Sequence, residues 1–270
     1  MMHTLHNLHR PLGSTDLLVS PIGLGTVKLG RDQGVKYPNG FTIPDDAAAR
    51  NLLAQARDLG INLIDTAPAY GTSETRLGPL LQGQRHDWVI VSKVGEEFEN
   101  GHSHFDFSPA HTRFSVERSL QRLQTDVIDL LLVHSDGNDV AILRDSGIYE
   151  TLAELKREGK IRGFGLSGKT VDGGLLALEQ GDCAMVTYNL NEQGELPVLD
   201  YAEHHGKGIL IKKALASGHA CLAPGEDPIR ASFELIFAHP AVNSAIIGTI
   251  TPQHLAHNVA TAAAVIQDIA

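Results

Sequence analysis

The sequence predicts an α/β fold, a (β/α)8 TIM barrel preceded by an N-terminal β-hairpin. Eight short apolar runs alternate with eight amphipathic segments along the 270 residues, the pattern of parallel strands joined by crossover helices. Three of those runs close on residues able to do chemistry, Asp65, Lys93 and His134, and Tyr70 follows just beyond Asp65. The C-terminal strand ends of a parallel barrel converge on one mouth, where catalytic groups gather. No linker or low-complexity tract divides the chain, so residues 1–270 are expected to form a single barrel domain.

Taken in order, Arg10 to Pro21 holds two short extended pieces around polar turn residues, the hairpin of the prediction. Strands are expected at 22–25, 61–65, 88–93, 127–133, 161–166, 183–187, 208–212 and 243–247. Helices are expected near 45–59, 73–82, 109–123, 147–158, 170–180, 195–205 and 228–238, with a last one from 252. Ser108-Pro109 and Thr251-Pro252 each supply an N-cap and a proline at the first helical position. Leu59-Gly60 and Glu158-Gly159 look like helix ends with glycine just beyond. Three connections, 26–44, 94–108 and 134–146, are long and would rise on the mouth side, which marks them as functional or mobile.

Composition narrows the function classes. A formal net charge of −10 argues against a nucleic-acid or anionic-membrane surface, since both need a basic face. Only two cysteines, Cys183 and Cys221, give no disulfide framework, which fits a reducing compartment. Met1 to Arg10 lacks the apolar core of a signal peptide, and no apolar run is long enough to span a bilayer. A cytoplasmic location is the expectation. Oligomeric state leaves no signature.

Several segments together resemble the aldo-keto reductases: Ile22-Gly-Leu-Gly-Thr26, Asp65-Thr-Ala-Pro-Ala-Tyr-Gly-Thr-Ser-Glu74, Val91-Ser-Lys-Val94 and Asp126-Val-Ile-Asp-Leu-Leu-Leu-Val-His134. The likeness continues through Gly159-Lys-Ile-Arg-Gly-Phe-Gly-Leu-Ser167, Val186-Thr-Tyr-Asn189 and Ile247-Gly-Thr249 with Asn258, nearly the whole chain. It implies reversible hydride transfer between a nicotinamide cofactor and a small-molecule aldehyde, ketone or alcohol. By this resemblance Tyr70 is the acid in reduction and the base in oxidation, Lys93 lowers its pKa, and Asp65 pairs with Lys93. His134 would orient the carbonyl and stabilise charge developing on its oxygen. The residue types make chemical sense, because a free tyrosine titrates near pH 10 and a nearby ammonium favours the phenolate. Taken singly, the tyrosine would be a packing residue, Asp65 and Lys93 a structural ion pair, and His134 a core histidine. Those bland readings do not predict all four at one mouth.

The cofactor site matches the family less closely. The family holds the nicotinamide carboxamide with a Ser-Asn pair and a glutamine; this chain has Ser167-Gly168 and Met185, so only Ser167 carries over. Lys212 stands at or near the place where the family often stacks an aromatic ring, and it could reach a phosphate. Leu215-Ala-Ser-Gly218, with Ser217 as a donor, resembles the family's pyrophosphate cover. At the adenosine end the resemblance points to Gly248, Thr249, Thr251 and Asn258, with His254 and His257 nearby and no lysine or arginine. NADP (as NADPH) is the family default, and the missing basic residues leave NAD open.

Three competing features remain. Gly163-Phe-Gly-Leu-Ser-Gly-Lys-Thr170 satisfies the P-loop pattern between a strand and a helix, which would make the protein a nucleotide hydrolase. A nicotinamide-binding regulatory barrel with little turnover is the other alternative. Among the fourteen histidines, His102, His104 and His111 are conceivable metal ligands, but no complete site is apparent and no metal is expected. Tyr37, Phe41, Phe98, Phe105 and Phe107 would either wall a substrate pocket or anchor their own loops.

Overall fold

The computed structural model describes residues 4–35, 40–216 and 227–269. A short antiparallel hairpin, β1 (Arg10–Pro11) and β2 (Leu18–Val19), precedes the barrel. The barrel strands are β3 (Ile22–Gly25), β4 (Leu63–Asp65), β5 (Val89–Val94), β8 (Ile128–His134), β9 (Ile161–Ser167), β10 (Cys183–Thr187), β11 (Gly208–Lys212) and β12 (Val242–Ile247). They pair in parallel in chain order, and β12 returns to β3, so the sheet closes into a (β/α)8 barrel. Around it run α2 (Asp46–Asp58), α3 (Ser73–Leu80), α4 (Pro109–Leu123), α6 (Ile148–Arg157), α7 (Val171–Gln180), α8 (Leu196–His205), α9 (Pro228–Ala238) and α10 (Pro252–Ile269).

Alternation along the strands sorts the apolar side chains into two cores. Leu63, Val89, Val91, Leu130, Leu132, Cys183, Met185 and Leu210 fill the barrel interior, and Leu12, Leu17 and Val19 from the hairpin pack against them. The hairpin therefore plugs the end of the barrel opposite the mouth. The other strand faces pack against the helices in a larger cluster that includes Leu52, Leu53, Ile90, Leu131, Phe164, Ile209 and Phe233.

The capping signals at Ser108, Gly60 and Gly159 work as the sequence implied. Ser108 Oγ accepts the His111 amide at the start of α4. At the end of α2 the Gly60 amide donates to Arg57 O and the Ile61 amide to Ala56 O, with Gly60 at φ +86°. This is a Schellman closure, and α6 ends the same way at Gly159 and Lys160. Ile61 is thus committed to closing a helix, and β4 starts at Leu63 rather than at 61.

The three long connections hold structure that the sequence analysis left unassigned. The first contains α1 (Val27–Gly30) and the third α5 (Asp139–Asp145). The second folds into a hairpin, β6 (Glu96–Glu99) and β7 (His102–Phe105), whose two-residue turn Asn100-Gly101 has φ of +51° and +83°. Positive φ at both positions is what a type I′ turn demands, and Asn-Gly supplies it.

Candidate active site

Strand ends build the site. Asp65 closes β4, Lys93 lies near the end of β5, His134 closes β8, Ser167 closes β9 and Lys212 closes β11. Tyr70 is carried on the connection between β4 and α3, in a turn where its amide donates to Ala67 O. Lys93 is 2% exposed and donates to Asp65 Oδ1 at 2.5 Å and to Thr66 O at 3.0 Å. Tyr70 Oη donates to Asp65 Oδ2 at 3.4 Å, and Lys93 Nζ lies 4.8 Å from the centre of the Tyr70 ring. The His134 ring meets the Tyr70 ring edge-on, with centroids 6.4 Å apart. The sequence-predicted tetrad is therefore one cluster around a buried ammonium–carboxylate pair.

The β6–β7 hairpin adds a carboxylate that the sequence did not reveal. Glu96 Oε2 comes within 2.7 Å of His134 Nδ1. The contact is close rather than well aligned, since Nδ1 makes no angularly acceptable hydrogen bond. Burial alone would push the Glu96 carboxyl up, but His134, the Ser103 hydroxyl and the nearby Arg31 bring it down to about 2. Burial lowers the pKa of His134 against the upward pull of Glu96. Arg31 ties this hairpin to the Tyr70 loop, lying 3.3 Å over the Phe98 ring while donating to Ala69 O at 3.0 Å. Because the folded Glu96 carboxyl titrates below its ordinary 4.5, its contribution to stability is complete above that pH and fades as pH falls toward 2. Urea unfolding of E96Q should therefore fall short of wild type by about 1–3 kcal/mol at neutral pH, with the gap closing on acidification. A gap independent of pH would contradict this role for the carboxylate.

A cavity of about 960 Å³ opens over these strand ends, within the range of small-molecule sites. Asp65, Tyr70, Lys93, His134, Ser167, Lys212, Leu215, Gly248, Thr249 and Asn258 all line it. Thr251 is not among the lining residues; its amide donates to Thr249 Oγ1 at 3.1 Å, supporting the loop from behind. Ser217 lies outside the described residues, as does Tyr37. Lys212 Nζ donates to Ser167 Oγ at 3.3 Å and to Gly168 O, and burial lowers its pKa to about 8. None of Phe41, Phe98, Phe105 and Phe107 lines the cavity. Phe98 serves Arg31, and Phe107 covers Gly95, where a Cβ would come within 2.4 Å of its ring. Among the described residues no group of three or more His, Cys, Asp or Glu side chains could hold a metal ion, and no helix is long and apolar enough to cross a membrane.

The sequence profile of the Aldo/keto reductase family matches residues 21–222. The chain belongs to the aldo/keto reductase family. A Pseudomonas aeruginosa protein assigned to the aldo-keto reductases has a crystal structure that superposes on this fold with a TM-score of 0.90. The two are 67% identical, and the match covers 98% of this chain and 97% of that one. L-galactose dehydrogenase of Arabidopsis thaliana is 35% identical over 225 residues, 77% of this chain and 66% of its own length. The NADH-specific methylglyoxal reductase of Escherichia coli (strain K12) is 33% identical over 205 residues, 71% of this chain and 60% of its own length. The match thus spans less than two thirds of either curated relative.

The P-loop-like stretch forms no phosphate loop in this aldo/keto reductase. Gly163 to Ser167 belong to β9, where a Cβ on Gly165 would stand 1.8 Å from the Cys183 carbonyl oxygen. Close strand packing is the reason for that glycine. Beyond the strand, the anion is the protein's own. Asp139 Oδ2 accepts the Lys169 amide and the Thr170 amide at 2.7 Å and the Thr170 hydroxyl at 2.8 Å. Lys169 Nζ donates to Asp136 O at 3.0 Å. The Lys169 and Thr170 donors that a P-loop would offer to phosphate are already engaged.

Proposed function

We propose that this protein reversibly reduces an aldehyde or ketone with a nicotinamide cofactor, Tyr70 acting as general acid in reduction and as general base in alcohol oxidation. The observation that carries the proposal is the Asp65–Lys93–Tyr70 cluster, with His134 edge-on to the tyrosine, at the floor of one cavity.

The residues present suit such a cofactor. Five lysines line the cavity (Lys28, Lys93, Lys169, Lys212, Lys213) against three acids (Asp65, Glu192, Glu195), in a chain whose net charge is −10. A locally cationic cleft fits a dinucleotide's phosphates. At the far end, buried Asn258 lines the cavity with its Oδ1 lacking any partner, an acceptor suited to an amino group. Ser167 and Lys212 would hold the nicotinamide end, and Leu215, Gly248, Thr249 and Asn258 the remainder, with Thr251 bracing Thr249.

Bound there, the nicotinamide would supply or take the hydride. The protein's own groups manage the proton. In reduction the Tyr70 hydroxyl gives its proton to the new alkoxide, and the Lys93 ammonium stabilises the phenolate left behind. Asp65 holds that ammonium in place and compensates its burial. His134 orients the carbonyl oxygen, and Glu96 positions the imidazole. Oxidation runs the same steps in reverse. NADPH is the first candidate cofactor and NADH its rival, since no lysine or arginine stands among Gly248, Thr249, His254, His257 and Asn258.

Fluorescence titration of the protein with NADPH, NADH and Mg-ATP in parallel tests this directly. Saturable binding of a reduced nicotinamide dinucleotide without binding of ATP is expected, and the tighter of the two names the cofactor. Binding of Mg-ATP alone would overturn the proposal.

A further inference from the structure

Lys212 is an unusual group to find at this position. It is a cation at the floor of the cavity, and its hydrogen bonds among the described residues go to neutral acceptors, Ser167 Oγ and Gly168 O. Among the described residues no carboxylate in direct contact cancels its charge. Ser167 is the register partner of His134 across the β8–β9 pair, so the ammonium stands one strand away from the His134–Tyr70 pair. The inference rests on the nicotinamide-binding function proposed above. A carbon that exchanges hydride within reach of Tyr70 and His134 must lie over these same strand ends. The nicotinamide ring therefore comes close to Lys212.

The two redox forms of the cofactor differ by one positive charge, carried on that ring in the oxidised form. Their phosphates are identical, so attraction between Lys212 and the phosphates cancels when the two affinities are compared. What remains is repulsion between an ammonium and a cationic ring, in a site screened less than bulk water. We propose that Lys212 is a selector of cofactor redox state, making the site hold the reduced dinucleotide more tightly than the oxidised one. On the protein, this repulsion shifts the bound equilibrium toward reduced cofactor with carbonyl. It also speeds departure of the oxidised form once a carbonyl has been reduced.

The selector depends on protonation. The charged groups around Lys212 are Glu195 at the start of α8, Asp139 on α5, Lys213 beside it, Lys93 on β5 and the titratable His134 on β8. Burial outweighs the two acids and leaves the ammonium titrating at about 8. Discrimination is complete below that pH and is lost above it. By linkage, binding of the oxidised form expels a proton from Lys212 more readily than binding of the reduced form.

The test is to measure dissociation constants for the oxidised and reduced forms of the better-bound dinucleotide, well below and well above pH 8. In wild type the ratio of affinities should favour the reduced form and shrink by roughly tenfold as pH rises. K212M should show the high-pH ratio at both values. K212R, whose guanidinium stays charged, should keep the low-pH ratio at both. A ratio that is the same in wild type and both variants and insensitive to pH would overturn the selector while leaving the proposed function standing. The pH series on unmodified protein decides the matter even if K212M fails to fold. Failure of wild type to bind either form would remove the function on which the selector rests, and the selector with it.

Discussion

Tyr70→Phe should cost turnover on the order of 10²- to 10⁴-fold while leaving cofactor binding in place. The substitution removes one hydroxyl and little else. The ring keeps its place 4.8 Å from Lys93 Nζ and its edge-on contact with His134. The hydroxyl's bond to Asp65 Oδ2 is long at 3.4 Å, and its loss should change stability by no more than about 1 kcal/mol. Steady-state kinetics together with a cofactor titration on the same sample separate the two effects. A variant that still turns over within a few-fold of wild type would show that the proton comes from another group.

Lys93→Met should be costly in two ways. Lys93 and Asp65 are 2% and 4% exposed and share a 2.5 Å contact inside the barrel. Removing the ammonium leaves a buried carboxylate without its cation, which typically costs about 3–5 kcal/mol, a large fraction of the stability of an ordinary domain. Turnover should fall as well, because nothing is left to stabilise a Tyr70 phenolate. The double variant D65N/K93M separates the two. Denaturant unfolding should show much of the lost stability restored, since no unpaired charge remains, whereas activity should stay lost. Restored activity in the double variant would show that the pair is structural and takes no part in the chemistry.

Most of the barrel was legible because strands and helices announce themselves locally. The β8 run, Ile128–His134, is apolar except for Asp129 until its last residue, and Ser108-Pro109 and Leu59-Gly60 mark helix ends by their own chemistry. Where the boundaries differ, a neighbouring element claims the residue, as when Ile61 closes α2 instead of opening β4. The tetrad was readable for the same reason: each member sits at or just beyond a strand end, and barrel closure does the assembling. The β6–β7 hairpin had a visible signal in Asn100-Gly101, but the interrupted alternation of Glu96–Glu99 and the exposed His102–Phe105 hid it inside a connection. The meeting of Glu96 with His134 had no sequence signal. It joins side chains from separate elements, and no periodicity encodes such a contact. The same holds for Asp139 satisfying Lys169 and Thr170, the contact that turns an apparent phosphate motif into an ordinary strand-to-helix connection.

Isotope transfer tests the central claim most directly. Reduced nicotinamide cofactor deuterated at its C4 position would be mixed with excess protein and a panel of small aldehydes and ketones, and the products read by mass spectrometry. Hydride chemistry at the Tyr70 site predicts deuterium on the carbonyl carbon of at least one product with wild-type protein, and far slower delivery with Tyr70→Phe despite retained cofactor binding. Saturable cofactor binding with no deuterium delivered to any carbonyl, or equal delivery by the Tyr70→Phe variant, would contradict the account.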